Sequence, residues 1–233
     1  MSGGAEPTFL LPERRERIDR VVSQRTRTLT LVLDALCDPQ NVNAVLRTCE
    51  AFGVQEVHVV EGPMKPYHRS KKVSQNADKW LDVVRWKSSR ECLEALKERG
   101  FRIYAAHLGG RAGELGGLDF ASKVALVLGN ESRGVSGEAL ELADACYELP
   151  MRGFVRSLNV SVAAAVSLAV AVAERERSRG RHGDLDPAEA AALRERFYLL
   201  AVKQRARIAK AEAKRQATLS LRAARRAKAR RGP

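Results

Sequence analysis

The chain has 233 residues, 45% of them hydrophobic and 30% charged, which is the make-up of a folded α/β domain with extensions and excludes a disordered or fibrous chain. Its net charge of +13 is unevenly spread: residues 203–233 hold 12 Lys/Arg against one Glu, net +11, leaving +2 for residues 1–202. A dense cationic tail favours polyanions, and the Ala residues between the charges in "RAARRAKARR" point to nucleic acid, because a membrane surface would want large apolar side chains there.

Residues 12–27, "PERRERIDRVVSQRTR", read as a charged helix with a narrow apolar stripe of Ile18, Val21 and Val22. "TLTLVLDAL" (28–36) is a β-rich run and "CDPQN" a turn. "VNAVLRTCEAFG" (42–53) follows with Val42, Val45, Leu46, Cys49 and Phe52 at helical spacing, Asn41 as its cap and Gly53 as its close. "QEVHVV" (55–60) is a strand, and residues 61–78 form a long loop of the kind that carries function. Next come a short strand near "WLDVV", a helix over 89–100 and the strand "FRIYAAH" (101–107). A glycine-rich connection leads to the strand "KVALVLGN" (123–130), the loop "ESRGV", a helix capped by Ser136 and the brief strand "CYELP" (146–150). The apolar run 160–173 is broken by Ser161 and Ser167 and falls short of the ~20 residues of a membrane span. From Pro187 onward the composition is helical and increasingly basic.

Strands alternating with helices predict a mainly parallel sheet flanked by helices. The expected division is an N-terminal basic helical extension (1–27), an α/β domain (28–178) and a C-terminal helical, strongly basic tail (179–233). The four cysteines, Cys37, Cys49, Cys92 and Cys146, sit in apolar segments without metal-type spacing, so buried, reduced thiols are expected, and the scattered histidines give no reason to expect a metal. "MSGGAEPTFL" lacks the apolar core of a secretory signal, so the expected location is cytoplasmic.

In parallel sheets ligands bind beyond the carboxyl ends of the strands. Asn41 follows the first predicted strand, Glu131 the fifth, and Ser157 and Asn159 the sixth. "GNESRGVS" (129–136) has glycines five apart, but Val135 stands where a phosphate-binding loop needs lysine, and Glu131 would repel phosphate; this argues against a nucleoside triphosphate and for a neutral or cationic ligand, while the loop taken alone reads as a surface turn with a solvated glutamate. Arg47 shares the polar face of its helix with Asn43 and Glu50, and two readings stand for it: a solvated cation, or an anion site formed with Asn41. Ser157, Asn159 and Ser161 are equally readable as caps of the small-residue helix behind them.

Together, "NVNAVLRTCEAFGV" (41–54), "LVLGNESRGVS" (126–136) and "LPMRGFVRSLNVSVAAAV" (149–166) resemble the three ordered motifs of the SPOUT class of RNA methyltransferases, in particular its TrmH branch. The resemblance spans roughly residues 12–200. It implies an α/β fold whose C-terminal part forms a trefoil knot, S-adenosylmethionine as cofactor, RNA as partner with tRNA foremost, a homodimer that completes the site, and no metal or membrane. The reaction implied is 2′-O-methylation of a tRNA guanosine in the D-loop, with ribosomal RNA or a non-catalytic RNA-binding role as alternatives. Asn41, Arg47, Glu131, Ser157 and Asn159 match the catalytic positions, and Ala106, Leu128, Gly129, Leu149, Met151 and Leu158 the cofactor contacts. Phosphate contacts are expected of Arg14, Arg15, Arg17, Arg20, Lys79 and Arg133, with Trp80 beside Lys79. Gln75-Asn76-Ala77 departs from the branch's Gly-Gly-Ser, and Arg133 and Arg152 add positive charge around the site. The tail reads either as an RNA clamp or as a solubility appendage.

Overall fold

The computed structural model describes residues 10–61, 77–109 and 112–203. In chain order its elements are α1 (Pro12–Ser23), β1 (Leu29–Asp34), α2 (Pro39–Ala51), β2 (Glu56–Val60), β3 (Asp82–Trp86), α3 (Ser89–Glu98), β4 (Arg102–Ala106), β5 (Ala112–Glu114), β6 (Val124–Leu128), α4 (Gly137–Leu142), β7 (Ala145–Glu148) and α5 (Val160–Arg179). A further helix, α6, covers residues 187–203. Residues 23–186 form one compact unit, and the two ends of the chain form a second, in which α1 and α6 are the described parts.

β1 reads LTLVLD with all six residues buried, a pattern that requires cover on both faces of a sheet. Strand alternation divides the cover. Leu29, Leu31 and Leu33 share a core with Val42, Val45 and Leu46 of α2 and with Ala164, Leu168 and Ala171 of α5. Val32 faces the opposite way, toward Cys92, Leu93 and Leu96 of α3 and Ala139 of α4. β6, equally buried, divides in the same manner and lies beside β1 with Leu31 opposite Leu126. The seven strands pair in parallel in the order β3-β2-β1-β6-β4-β7-β5. Parallel pairing brings the carboxyl ends of β1, β4, β6 and β7 out at one rim, with helices α2 and α5 packed together on one face and α3 and α4 on the other.

Several expectations shift. α1 ends at Ser23 because the next residues turn inward: Arg25 is 1% exposed, pairs with Glu50 at 2.8 Å and donates to the Val54 carbonyl. α2 starts at Pro39, with the Asp38 side chain accepting from the Gln40 N–H at 2.8 Å, so Asp38 is the cap and Asn41 lies inside the first turn. An Asp followed by Pro at the first helical position outcompetes an asparagine further in. Phe52 ends α2, and Gly53 follows in the left-handed region at φ 75°. β5 lies within the glycine-rich connection, so Glu131 follows the sixth strand and Ser157 and Asn159 the seventh. Cys49 and Cys92 are buried as expected, whereas Cys37 is exposed in the turn before α2.

At the opposite rim, α5 ends in a buried cluster. Arg175 is fully buried, donates to the Phe120 and Ser122 carbonyls and pairs with Asp184 at 2.7 Å. Asp184 also accepts from the hydroxyls of Thr26 and Thr28 and from the Arg27 N–H. Burial works to raise the Asp184 carboxyl, but these donors and Arg175 outweigh it and hold its pKa below the usual range.

In the second unit, Ile18 and Val22 of α1 and Leu193, Phe197 and Ala201 of α6 are buried. The Tyr198 hydroxyl donates to Asp19 at 2.8 Å, and Arg194 pairs with the same carboxylate at 2.9 Å. Residues 62–76 of the long loop and the tail from 204 onward, where most of the expected cationic charge falls, lie outside the described residues.

Candidate active site

Three chain segments meet at the rim where the strand ends emerge. Asn159 caps α5: its side-chain oxygen accepts from the N–H of Ser161 at 2.9 Å and from the Ser161 hydroxyl at 2.6 Å. That commitment leaves the Asn159 amide nitrogen to donate to the Asn41 side-chain oxygen at 3.1 Å. The Asn41 nitrogen then donates to Glu131 at 2.7 Å. The hydrogen bonds run in one direction and end on a carboxylate, which can only accept when ionised. The alternative reading of Asn159 as a cap is correct, and the same side chain also bonds Asn41 of the first motif, which in turn bonds Glu131 of the second.

The loop carrying Glu131 is closed tightly. A Cβ on Gly129 would lie 2.1 Å from the Gly134 carbonyl carbon and from the Val135 nitrogen. Asn130 and Gly134 exchange two backbone bonds, at 2.9 and 2.8 Å, and Ser136 caps α4 as expected.

A cavity of about 620 Å³ opens at this rim, walled by the ends of β4, β6 and β7 and the start of α5. All six expected cofactor residues, Ala106, Leu128, Gly129, Leu149, Met151 and Leu158, line it, as do Glu131, Ser157, Asn159 and Arg133. Tyr147 is a fully buried part of the lining; its hydroxyl lies 3.0 Å from Ser167, and burial pushes its pKa up to about 12 against the pull of that bond. The size suits a small molecule, and the lining offers apolar side chains and backbone for a flat heterocycle together with Glu131, Glu148 and His107 for charged or polar groups. These residues fit S-adenosylmethionine, which has an adenine, a sulfonium and an amino-acid end.

Arg47 stands apart. It is exposed on α2, does not line this cavity, and makes no hydrogen bond or ion pair among the described residues. The polar face expected around it is incomplete: Asn43 is buried with its amide on the Pro39 carbonyl, and Glu50 is taken by Arg25. An anion site shared with Asn41 is not formed, since Asn41 is committed to Glu131 and Asn159. Of the expected phosphate contacts, Arg17 and Arg20 are exposed and Arg14 and Arg15 half-buried on α1, while the Lys79 ammonium lies 4.7 Å from the centre of the Trp80 ring. Asn130, His107 and Arg156 also line the cavity; Asn130 and Arg156 fall inside the second and third motifs and His107 outside all three, yet none had an expected role, because each matters only once β1, β4, β6 and β7 stand side by side.

The sequence pattern described as the SpoU rRNA Methylase family matches residues 28–169. A tRNA (guanosine(18)-2′-O)-methyltransferase of Thermus thermophilus is 41% identical over 149 residues, 64% of this chain and 76% of the relative. The enzyme of the same name from Borreliella burgdorferi is 33% identical over 159 residues, 68% of this chain and 72% of the relative. Among solved structures, a TrmH/SpoU tRNA modifying enzyme of A. aeolicus superposes with a TM-score of 0.72 at 31% identity, covering 80% of this chain and 95% of the other. No helix among the described residues is long and apolar enough to cross a membrane.

Proposed function

Because the chain belongs to the SpoU rRNA methylase family, we propose that it transfers a methyl group from S-adenosylmethionine to the ribose 2′-hydroxyl of a tRNA guanosine in the D-loop, and does so in the cytoplasm. The observation that carries this reading is the Asn159–Asn41–Glu131 chain of hydrogen bonds at the mouth of a cavity walled by the expected cofactor residues. The names of the tRNA-acting relatives support the substrate.

When bound, the cofactor supplies a methyl already activated on a sulfonium, so the protein has to align the acceptor oxygen and stabilise its charge, with no need of a metal. Ala106, Leu128, Gly129, Leu149, Met151 and Leu158 hold that cofactor through side chains and backbone. Asn41, Glu131 and Asn159 fix the geometry of the rim, and Ser157 offers its hydroxyl to the ribose. Arg47 is the charge stabiliser: a guanidinium is a permanent cation and a poor base, so it favours the developing alkoxide while an RNA phosphate takes part in removing the proton. That it has no partner among the described residues supports this role.

Arg47 lies outside the cavity of its own chain, and a site completed across a homodimer accounts for that. The apolar surface available for such pairing is unusual: Phe154 is 109% exposed and Val155 64%, and Val162 and Val166 of α5 are 46% and 39% exposed. The trefoil knot belongs to the C-terminal part of the same domain, a placement supported by β6 lying between β1 and β4 while the chain returns to β7 on the far side. We assign 28–178 to the methyltransferase domain. The extension 1–27, through Arg14, Arg15, Arg17 and Arg20, and the basic extension 179–233, together with Lys79 and Arg133 of the domain, meet RNA phosphates and give affinity more than sequence choice.

The test is incubation with labelled methyl donor and total RNA, followed by mapping of the modified nucleotide. Label on a tRNA guanosine is the expected result; label confined to ribosomal RNA replaces the substrate, and no transfer at all leaves an RNA-binding protein. Arg47→Ala is expected to lower turnover by roughly 100-fold or more, the scale for losing a transition-state charge partner, with cofactor affinity unchanged by calorimetry. Equal losses in both would count against the assignment.

A further inference from the structure

Asn130 holds two loops at once. Its amide nitrogen donates to the Ala35 carbonyl at 2.8 Å and lies 2.9 Å from the Cys37 sulfur. Its side-chain oxygen accepts from the N–H groups of Ser132 and Arg133 at 2.9 and 3.2 Å. Although it lines the cavity, this side chain has its bonding capacity directed into the protein.

Ala35 is the reason this matters. Among the described residues it is the one non-glycine with a positive φ, 54°, a left-handed conformation that its Cβ disfavours. The preceding residue is fixed: Asp34 is 1% exposed and accepts from the Ser89 hydroxyl at 2.5 Å and the Ser136 N–H at 2.7 Å. The chain is thus pinned at 34, turned at 35, and only then enters α2, whose first turn carries Asn41. On the other side, the turn that Asn130 closes with Ser132 and Arg133 carries Glu131. Both ends of the Asn41–Glu131 contact therefore depend on one amide.

We propose that Asn130 is a positioning residue for methyl transfer: by holding Ala35 in its left-handed turn it keeps Asn41 and Glu131 aligned at the mouth of the cavity. The proposal rests on the assignment of Asn41 and Glu131 to the site made above.

The test compares full-chain Asn130→Asp, Ala35→Gly, the double variant and Glu131→Ala, measuring kcat, the cofactor dissociation constant and Tm for each. Asp at 130 keeps the acceptor for Ser132 and Arg133 but sets an oxygen against the Ala35 carbonyl. Its kcat is expected to fall roughly 10- to 100-fold, the scale of a misplacement of ~1 Å, with cofactor affinity close to that of the unaltered protein. Ala35→Gly alone is expected to be near normal, and in the double variant to recover part of the lost kcat, since glycine adopts the left-handed turn unaided although its carbonyl still faces the carboxylate. Absence of rescue would assign Asn130 a direct contact with substrate, and parallel losses of Tm, cofactor affinity and kcat a purely structural role; either overturns the proposal, as does an Asn130→Asp variant of normal kcat. A Glu131→Ala variant of normal kcat defeats the underlying site assignment, and the proposal with it, whatever the Asn130 variants show.

Discussion

A Cβ at residue 129 would meet the Gly134 carbonyl carbon and the Val135 nitrogen at 2.1 Å, and backbone atoms cannot swing aside as the end of a flexible side chain can. Those atoms belong to the turn that presents Glu131, and Gly129 itself lines the cavity. Gly129→Ala is therefore expected to abolish cofactor binding in calorimetry and to lower Tm. Gly137→Ala, at the first residue of α4, is the control: an added Cβ there meets nothing within 4 Å, and binding should persist. At this scale much of the candidate site was legible, because Asn41, Glu131, Ser157 and Asn159 sit in three ordered segments that the fold brings to one rim. Asn130 was not, although it adjoins Glu131. Its role depends on the left-handed backbone of Ala35, and nothing in an Ala-Leu-Cys sequence announces such a turn.

Elements were read well where burial enforced them. β1 and β6 are buried along their whole length because helices cover both faces, and no other element type explains six and five buried residues in succession so simply. β5 escaped because Ala-Gly-Glu has no strand preference; it exists through parallel pairing with β7, with Gly113 opposite Tyr147. The start of α2 was misplaced for the opposite reason, an over-reading of Asn41 when Asp38-Pro39 supplied the stronger signal. α5 offers a test at this scale. Its inward residues Ala164, Leu168 and Ala171 are buried, while Val162 and Val166, one turn apart, face outward. If the proposed homodimer pairs through this face, Val166→Glu should leave the circular dichroism spectrum unchanged, shift the species seen by light scattering from dimer to monomer, and remove methyl transfer. A dimer that survives this substitution would place the pairing surface elsewhere.

At the scale of the whole molecule, acid acts first through His182. This side chain is 5% exposed beside Gly53, and burial, with Arg175 adding to it, lowers its pKa from the free value of 6.5. The unfolded chain therefore takes up the proton before the folded one does, so stability rises with pH through this window and is lost as pH falls below 6.5. Tm is expected to decline between pH 7 and about pH 5, and His182→Gln to flatten that decline. Glu56 guards a lower window. Burial tends to raise its carboxyl, but the hydrogen bonds from His58 and Arg99 outweigh burial and hold the pKa at about 2, so its contribution persists above 4.5 and disappears only as pH drops toward 2.

The strand order also bears on how the chain is made. β1 pairs with β2 through a short local crossover, but its other edge waits for β6, whose residues begin at Val124. A nascent chain that has left the ribosome only as far as residue 123 thus carries a sheet of β3, β2 and β1 with one long apolar edge open. Synthesis paused in that interval would leave the intermediate vulnerable to pairing with another copy, and chaperone capture is expected to be greatest there, ending once β6 has closed the gap.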